Sequence, residues 1–263
     1  MNHDLTVIYY TSNWLERTNP YFLKNTTEQL LKATDGLPII AVSHTPINFG
    51  KNREPAILNL CLGHIGRSHL NIYRQILEGC KLAKTKYVAM AEDDILYSWE
   101  HFHTAQIDKE RRKHGDVLLY DMSKMSIFTW SKPPLFSFRT KRRVVNQLIA
   151  PRQMLIDALE ERFARLPVLI DEIKRDHPEI EDPVARVIKY WGDPGRYEDI
   201  LGVTVRPAAE YYCEKPSIVF SHPEAFGYLN QGKKKKLGDI RIVELADWGR
   251  AEDMLKLYYE PTK

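Results

Sequence analysis

Residues 86–102 read KYVAMAEDDILYSWEHF, and the order of residue types in this stretch decides the fold. Tyr87 to Ala91 is a continuous apolar run, the composition of a strand buried on both faces of a parallel sheet. Glu92, Asp93 and Asp94 come immediately after it. Three adjacent carboxylates repel one another and make poor strand formers, so they mark the place where the chain leaves the sheet. In an open parallel sheet, ligands bind outside the carboxyl ends of the strands. A divalent cation set between the carboxylates and a polyanionic ligand relieves their repulsion. An acidic turn capping the next helix needs no ligand, and the triplet alone leaves both readings open.

Outward from this stretch, strand and helix signals alternate. LTVIYYTSN (Leu5 to Asn13) is β-branched and aromatic and ends in polar turn formers. The sequence predicts a helix over Pro20 to Thr34, ended by Asp35-Gly36, and a second strand in LPIIAVSH (Leu37 to His44). After the short apolar piece AILNLCL, Leu70, Tyr73, Leu77 and Cys80 recur at helical spacing, with Ser68 placed as the N-cap. This β-α-β-α-β order predicts an α/β fold of mostly parallel strands covered by helices on both faces. The second half is less regular. Val117 to Trp130 reads as one or two strands, and a helix begins at Pro151 with Leu155, Leu159, Phe163 and Leu166 as its stripe. Prolines from Pro167 onward break the next fifty residues into short pieces, and PSIVFSH (Pro216 to His222) is the last convincing strand.

At 263 residues the chain fits one large domain, read here as 1–263 with a ligand-binding half over 1–115 and an irregular acceptor-side half over 116–263. Apolar content of 43% and charged content of 28% exclude a largely disordered chain. No apolar run approaches the roughly 20 residues of a membrane span, and the expectation is a cytosolic protein without a membrane partner. Cys61, Cys80 and Cys213 are widely spaced and odd in number, so they read as core residues rather than a disulfide framework or zinc ligands.

The segments TVIYYTSN, SHLNIYRQILEGCKLAKTKYVAMAEDDILY and the strand ending in His222 together resemble the GT-A fold glycosyltransferases over roughly the first hundred residues. The resemblance implies a short acidic motif after a strand that holds manganese or magnesium against the diphosphate of a nucleotide sugar, a UDP-sugar as donor. Glu92 then stands on the ribose side, Asp93 lies with the donor, and Asp94 ligates the metal. The departure is Glu92 in place of the usual first aspartate. By the same resemblance Thr11, Ser12 and Asn13 contact base and ribose, and His222 completes the metal sphere; its plain alternative is a loop histidine before Pro223. Hard oxygen ligands suit such a cation, which stabilises charge developing on a departing diphosphate. Arg67 and Ser68 begin a helix whose N-terminus can hold an anion, although GHIGRS is equally a turn and an N-cap. If transfer inverts the configuration, a carboxylate must act as general base, and Glu198 in GDPGRYEDILGV is the candidate ahead of Asp199; a retaining reaction needs none. The remaining histidines, His64, His69, His101 and His103 among them, read as surface residues or as residues behind the site.

The net charge of +3 is too small to argue for a polyanion by itself, but Arg111 to Lys113, Lys141 to Arg143 and Lys233 to Lys236 are concentrated. The last two runs have Trp130, Phe136, Phe138 and Tyr228 nearby, a mixture that follows a phosphate backbone and stacks on bases. One acceptor reading is therefore DNA carrying a hydroxymethylated pyrimidine, its base rotated out of the duplex. A saccharide or small-molecule acceptor, and a lysine-rich loop that folds over the donor, stay open beside it. A nucleotidyltransferase would need a glycine-rich loop after the first strand, which YYTSNWLERTNP lacks. A noncatalytic nucleic-acid-binding protein would leave Glu92 to Asp94 and His222 without a role.

Overall fold

The computed structural model describes residues 4–49, 57–138, 143–223, 225, 238 and 240–259. The first half runs β1 (Leu5–Tyr10), α1 (Trp14–Thr18), α2 (Pro20–Thr34), β2 (Ile39–Ser43), β3 (Leu58–Cys61), α3 (His69–Leu82) and β4 (Tyr87–Ala91). Next come β5 (Ile95–Leu96), α4 (Trp99–Phe102), α5 (Thr104–His114), β6 (Leu118–Asp121), β7 (Lys124–Phe128), β8 (Phe136–Phe138) and β9 (Leu148–Pro151). The chain continues with α6 (Arg152–Asp176), α7 (Pro183–Trp191), α8 (Glu198–Leu201), β10 (Ala208–Tyr211), β11 (Ser217–Ser221), β12 (Ile240–Ile242), the ribbon β13 (Glu244–Leu245) and β14 (Gly249–Arg250), and α9 (Ala251–Lys256).

Seven strands form a mixed, mostly parallel central sheet in the order β10-β6-β9-β4-β1-β2-β3, flanked by helices: the GT-A-like α/β arrangement that the resemblance implies. Both halves of the sequence contribute strands to it. β1 is buried along its whole length because alternate residues enter two cores. Ile8 and Tyr10 pack with Leu70, Tyr73 and Ile76 of α3, while Val7 and Tyr9 pack with Leu30 and Ala33 of α2. Helix α3 lies close on this sheet at Gly79, where a Cβ would stand 2.6 Å from Ile8 and 3.0 Å from Val42. β9 runs antiparallel between β4 and β6, and the remaining pairings in the sheet are parallel, which matches the expected mostly parallel sheet.

A second sheet, in the order β12-β8-β7-β11-β5, meets the first at the acidic triplet. β4 belongs to the large sheet and β5 to the small one, so Glu92 to Asp94 is the crossing between them. β5 pairs antiparallel with β11 through Ile95 with Val219 and Leu96 with Ile218. The Phe220 N–H then donates to the Asp94 carbonyl at 3.0 Å, which brings the end of β11 up to the crossing.

Two expectations, on the prolines and on Cys61, change. Pro167 lies inside the 25-residue α6 and does not end it, and Pro151 closes β9 as the residue before that helix. Cys61 is exposed on an edge strand, whereas Cys80 and Cys213 are buried. Of the two readings of His101, surface or behind the site, the surface one falls away: it is fully buried, its Nδ1 3.0 Å from Asp121 Oδ2. The guanidinium of Arg111 in α5 lies 2.8 Å from the Tyr87 ring centre. Lys141, Arg142, Tyr228 and Lys233 to Lys236 lie outside the described residues. Among the described residues no helix is long and apolar enough to cross a membrane.

Candidate functional site

A cavity of about 420 Å³ opens over the carboxyl ends of β1 and β4. Of the residues singled out in the sequence, Thr11, Ser12, Arg67, Ser68, Glu92, Asp93, Asp94 and His222 all line it. The three carboxylates are held differently. Glu92 accepts from the Tyr10 hydroxyl at 2.8 Å and from Asn146 Nδ2 at 2.6 Å, so both of its oxygens are engaged. Asp93 accepts from the Thr11 hydroxyl at 2.5 Å. Asp94 Oδ1 is buried and has no hydrogen-bond partner among the described residues, and Asp94 Oδ2 lies 3.5 Å from His222 Nε2. Burial, with the Asp94 charge adding to it, pushes Glu92 up to about 7 against the opposing bonds from Asn146 and Tyr10. Burial and then Asp94 likewise raise Asp93 to about 6.

A carboxylate with Oδ2 3.5 Å from an imidazole nitrogen and Oδ1 buried without a partner among the described residues fits a divalent cation held by Asp94 and His222. Among the described residues no group of three or more His, Cys, Asp or Glu side chains converges, so two protein ligands are what the described chain offers. That leaves coordination positions for diphosphate oxygens and water, as magnesium-type sites usually have.

Behind the triplet, Tyr97 fastens the turn from below. Its hydroxyl accepts from the Glu92 N–H at 3.0 Å and donates to the Asn146 carbonyl at 3.0 Å, and its ring packs on His101, 5.3 Å between centres. The Thr26 hydroxyl of α2 donates to the Asp93 carbonyl at 2.8 Å. The opposite wall is the N-terminus of α3. Ser68 caps it, its hydroxyl accepting from Asn71 N–H at 3.1 Å, and the Arg67 guanidinium stacks 4.7 Å from the Trp14 ring. Gln75 Nε2, buried beneath, donates to the carbonyls of Thr11 and Val42 at 2.7 and 3.0 Å, tying β1 to β2.

Two predicted residues sit elsewhere. Asn13 is a clasp between β1 and β2: its Oδ1 accepts from the N–H groups of His44 and Thr45, both at 3.0 Å, and its Nδ2 donates to Glu16 and to the Thr45 carbonyl. It does not line the main cavity. Glu198 does not line it either; it is 3% exposed and ion-paired at 2.9 Å with Arg162, itself 1% exposed, because the first residue of α8 turns toward α6. A further carboxylate in the cavity, beside the acidic triplet, is Asp193, just beyond α7. Tyr73 donates to it at 3.0 Å, and burial raises its pKa. No periodicity marks Asp193; the only sequence signal is the pair of glycines around it in WGDPG.

No protein-family model matches the chain. No curated protein matches it either. Among solved structures it is similar to residues 1–349 of S. aureus TarS, at 9% identity over 82% of this chain and 60% of that one, TM-score 0.44. It is also similar to the glycosyltransferase GlyE of Streptococcus pneumoniae, at 11% identity over 78% of this chain and 44% of that one, TM-score 0.39. A third is 2-C-methyl-D-erythritol 4-phosphate cytidylyltransferase of Thermus thermophilus, at 10% identity over 86% of this chain and 98% of that one, TM-score 0.40. The chain thus spans less than two thirds of the TarS fragment. At TM-scores below 0.5 the function has to be read from the site's own chemistry.

Proposed function

We propose that the chain is a metal-dependent glycosyltransferase that moves a sugar from a nucleoside-diphosphate sugar, a UDP-sugar in the first instance, to a hydroxyl acceptor. The observation that carries this is Asp94, with Oδ2 3.5 Å from His222 Nε2 and Oδ1 buried without a partner among the described residues, in a cavity whose other wall is a capped helix N-terminus with Arg67 beside it. Manganese or magnesium held by Asp94 and His222 would supply Lewis-acid stabilisation of the departing diphosphate. The N-terminus of α3 and Arg67 favour the same negative charge from the opposite side. Thr11 and Ser12 line the cavity where β1 ends and are the groups we assign to the nucleoside, with Glu92, held by Tyr10 and Asn146, assigned to the ribose side.

For the acceptor we propose a hydroxymethylated pyrimidine in DNA, on the strength of the basic runs around Arg143 and Lys233 to Lys236 in the second half of the sequence. A cytosolic site of action accords with three free cysteines. A nucleotidyltransferase reading lacks its glycine-rich turn, since β1 leads into Thr11 to Asn13 and the short α1. The test is turnover of UDP-glucose and UDP-N-acetylglucosamine with manganese, with and without an oligonucleotide carrying 5-hydroxymethylcytosine. Metal-dependent UDP release is expected, and its absence with both donors would refute the assignment.

A further inference from the structure

We infer that Asp193 takes the proton from the acceptor hydroxyl, and that the acceptor presents this hydroxyl from a flat, largely apolar ring seated against Trp191, Tyr73 and Ile188. This rests on the glycosyl-transfer reading above.

Consecutive residues place Asp193 beside the acidic turn. The Val145 backbone N–H lies near enough to the Asp193 carboxylate to favour its charged form, and the next side chain, Asn146, bonds Glu92. Neighbouring Cα atoms are about 3.8 Å apart, so the two carboxylates face one cavity from adjoining anchor points.

The turn that carries Asp193 is fastened far beyond the needs of a surface loop. Gly192, Gly195 and Tyr197 all have positive φ, at 56°, 82° and 62°, and the last is a conformation that a tyrosine rarely adopts. A Cβ on Gly195 would stand 2.5 Å from that of Ala208. Three successive carbonyls are each met by a different side chain: Pro194 by the Tyr120 hydroxyl, Gly195 by Arg143 at 3.0 Å and Arg196 by Arg162 at 3.1 Å. Glu198, bonded to Arg162, accepts from the Gly195 N–H and locks the same turn, which makes it a positioning residue. Strain held in place by so many independent bonds is a mark of functional sites, and Asp193 is the one carboxylate the turn offers to the cavity.

The surroundings define the acceptor. Trp191 is 1% exposed yet lines the cavity, and its indole N–H has no acceptor among the described residues. With Tyr73 and Ile188 it forms an apolar wall in which Asp193 and Arg196 are the charged groups. A flat ring of nucleobase size can lay its face on this wall, turn a polar edge toward the Trp191 indole N–H or Arg196, and present one hydroxyl to Asp193. As the acceptor oxygen bonds to the anomeric carbon, its proton passes to Asp193. The bond from that carbon to the diphosphate oxygen breaks, and its electron pair leaves with the nucleoside diphosphate.

The test compares wild type, Asp193→Asn and Asp193→Ala with UDP-glucose, manganese and the 5-hydroxymethylcytosine oligonucleotide, and measures UDP binding by calorimetry in each. We expect transfer to fall at least 100-fold in both variants with UDP affinity changed less than threefold, and formate to restore part of the rate to Asp193→Ala. 5-Hydroxymethyl-2′-deoxycytidine should outrun free glucose as acceptor by at least tenfold. Variants that transfer normally would overturn the assignment of Asp193 while leaving glycosyl transfer standing, and a preference for glucose would overturn the ring. A wild-type protein without metal-dependent UDP binding would sink the underlying reading, and the inference with it.

Discussion

Asp94 differs from its neighbours in what holds it. Glu92 engages both oxygens with Tyr10 and Asn146 and Asp93 engages one with Thr11, whereas Asp94 keeps a buried oxygen without a partner among the described residues. Asp94→Ala should therefore cut manganese-dependent turnover by roughly 100-fold or more, the scale of losing one electrostatic stabiliser, with the circular dichroism spectrum unchanged. Glu92 and Asp93 have their pKa values raised to about 7 and about 6, above the roughly 4 of unfolded carboxylates. In that window the native protein binds more protons than the unfolded one, so these two groups lower stability as pH rises from roughly 4 to about 7. The Tm of metal-free Glu92→Gln should accordingly depend less on pH across this window than that of wild type, and equal slopes would mean that Glu92 is not desolvated. At the cysteines, burial raises the Cys80 and Cys213 thiols far above neutrality while Cys61 is exposed, so a maleimide should label one thiol in the native protein and three after unfolding.

At the scale of elements, the turn from Gly192 to Tyr197 depends on α6. Arg162 stands on the buried face of that helix with Leu155, Ala158 and Leu159, and its Glu198 partner is 36 residues away. Removing one partner of a buried ion pair leaves the other charge uncompensated, so Glu198→Ala should cost about 3–5 kcal/mol in urea unfolding. Replacing both by Met should cost less than the single change, and a double variant worse than either single one would contradict the pairing. An arginine inside an apolar stripe was the legible sign that some acid had to reach α6. Which acid it would be was not legible, because a loop carboxylate in a Gly and Pro rich segment looks the same whether it caps a turn, pairs with an arginine or faces a cavity. Glu198 and Asp193 lie five residues apart, and only the packing of α6 and α7 separates their roles.

Across the whole molecule, the site lies where two sheets meet. β1, β2, α3 and β4 were legible because long apolar runs, a Ser68 cap and helical spacing act over a few residues. The second sheet was not, since β5 is only two residues long and its partner β11 lies more than a hundred residues on. That pairing is what carries His222 to Asp94, so the two groups meet only when both sheets are complete. Calorimetric titration of UDP into the protein at pH 7.5, once with manganese and once with EDTA, bears on this most directly. UDP should bind with manganese, fail to bind in EDTA, and lose its manganese dependence in Asp94→Ala; the same UDP affinity in EDTA as in manganese would contradict a cation seated between Asp94 and His222.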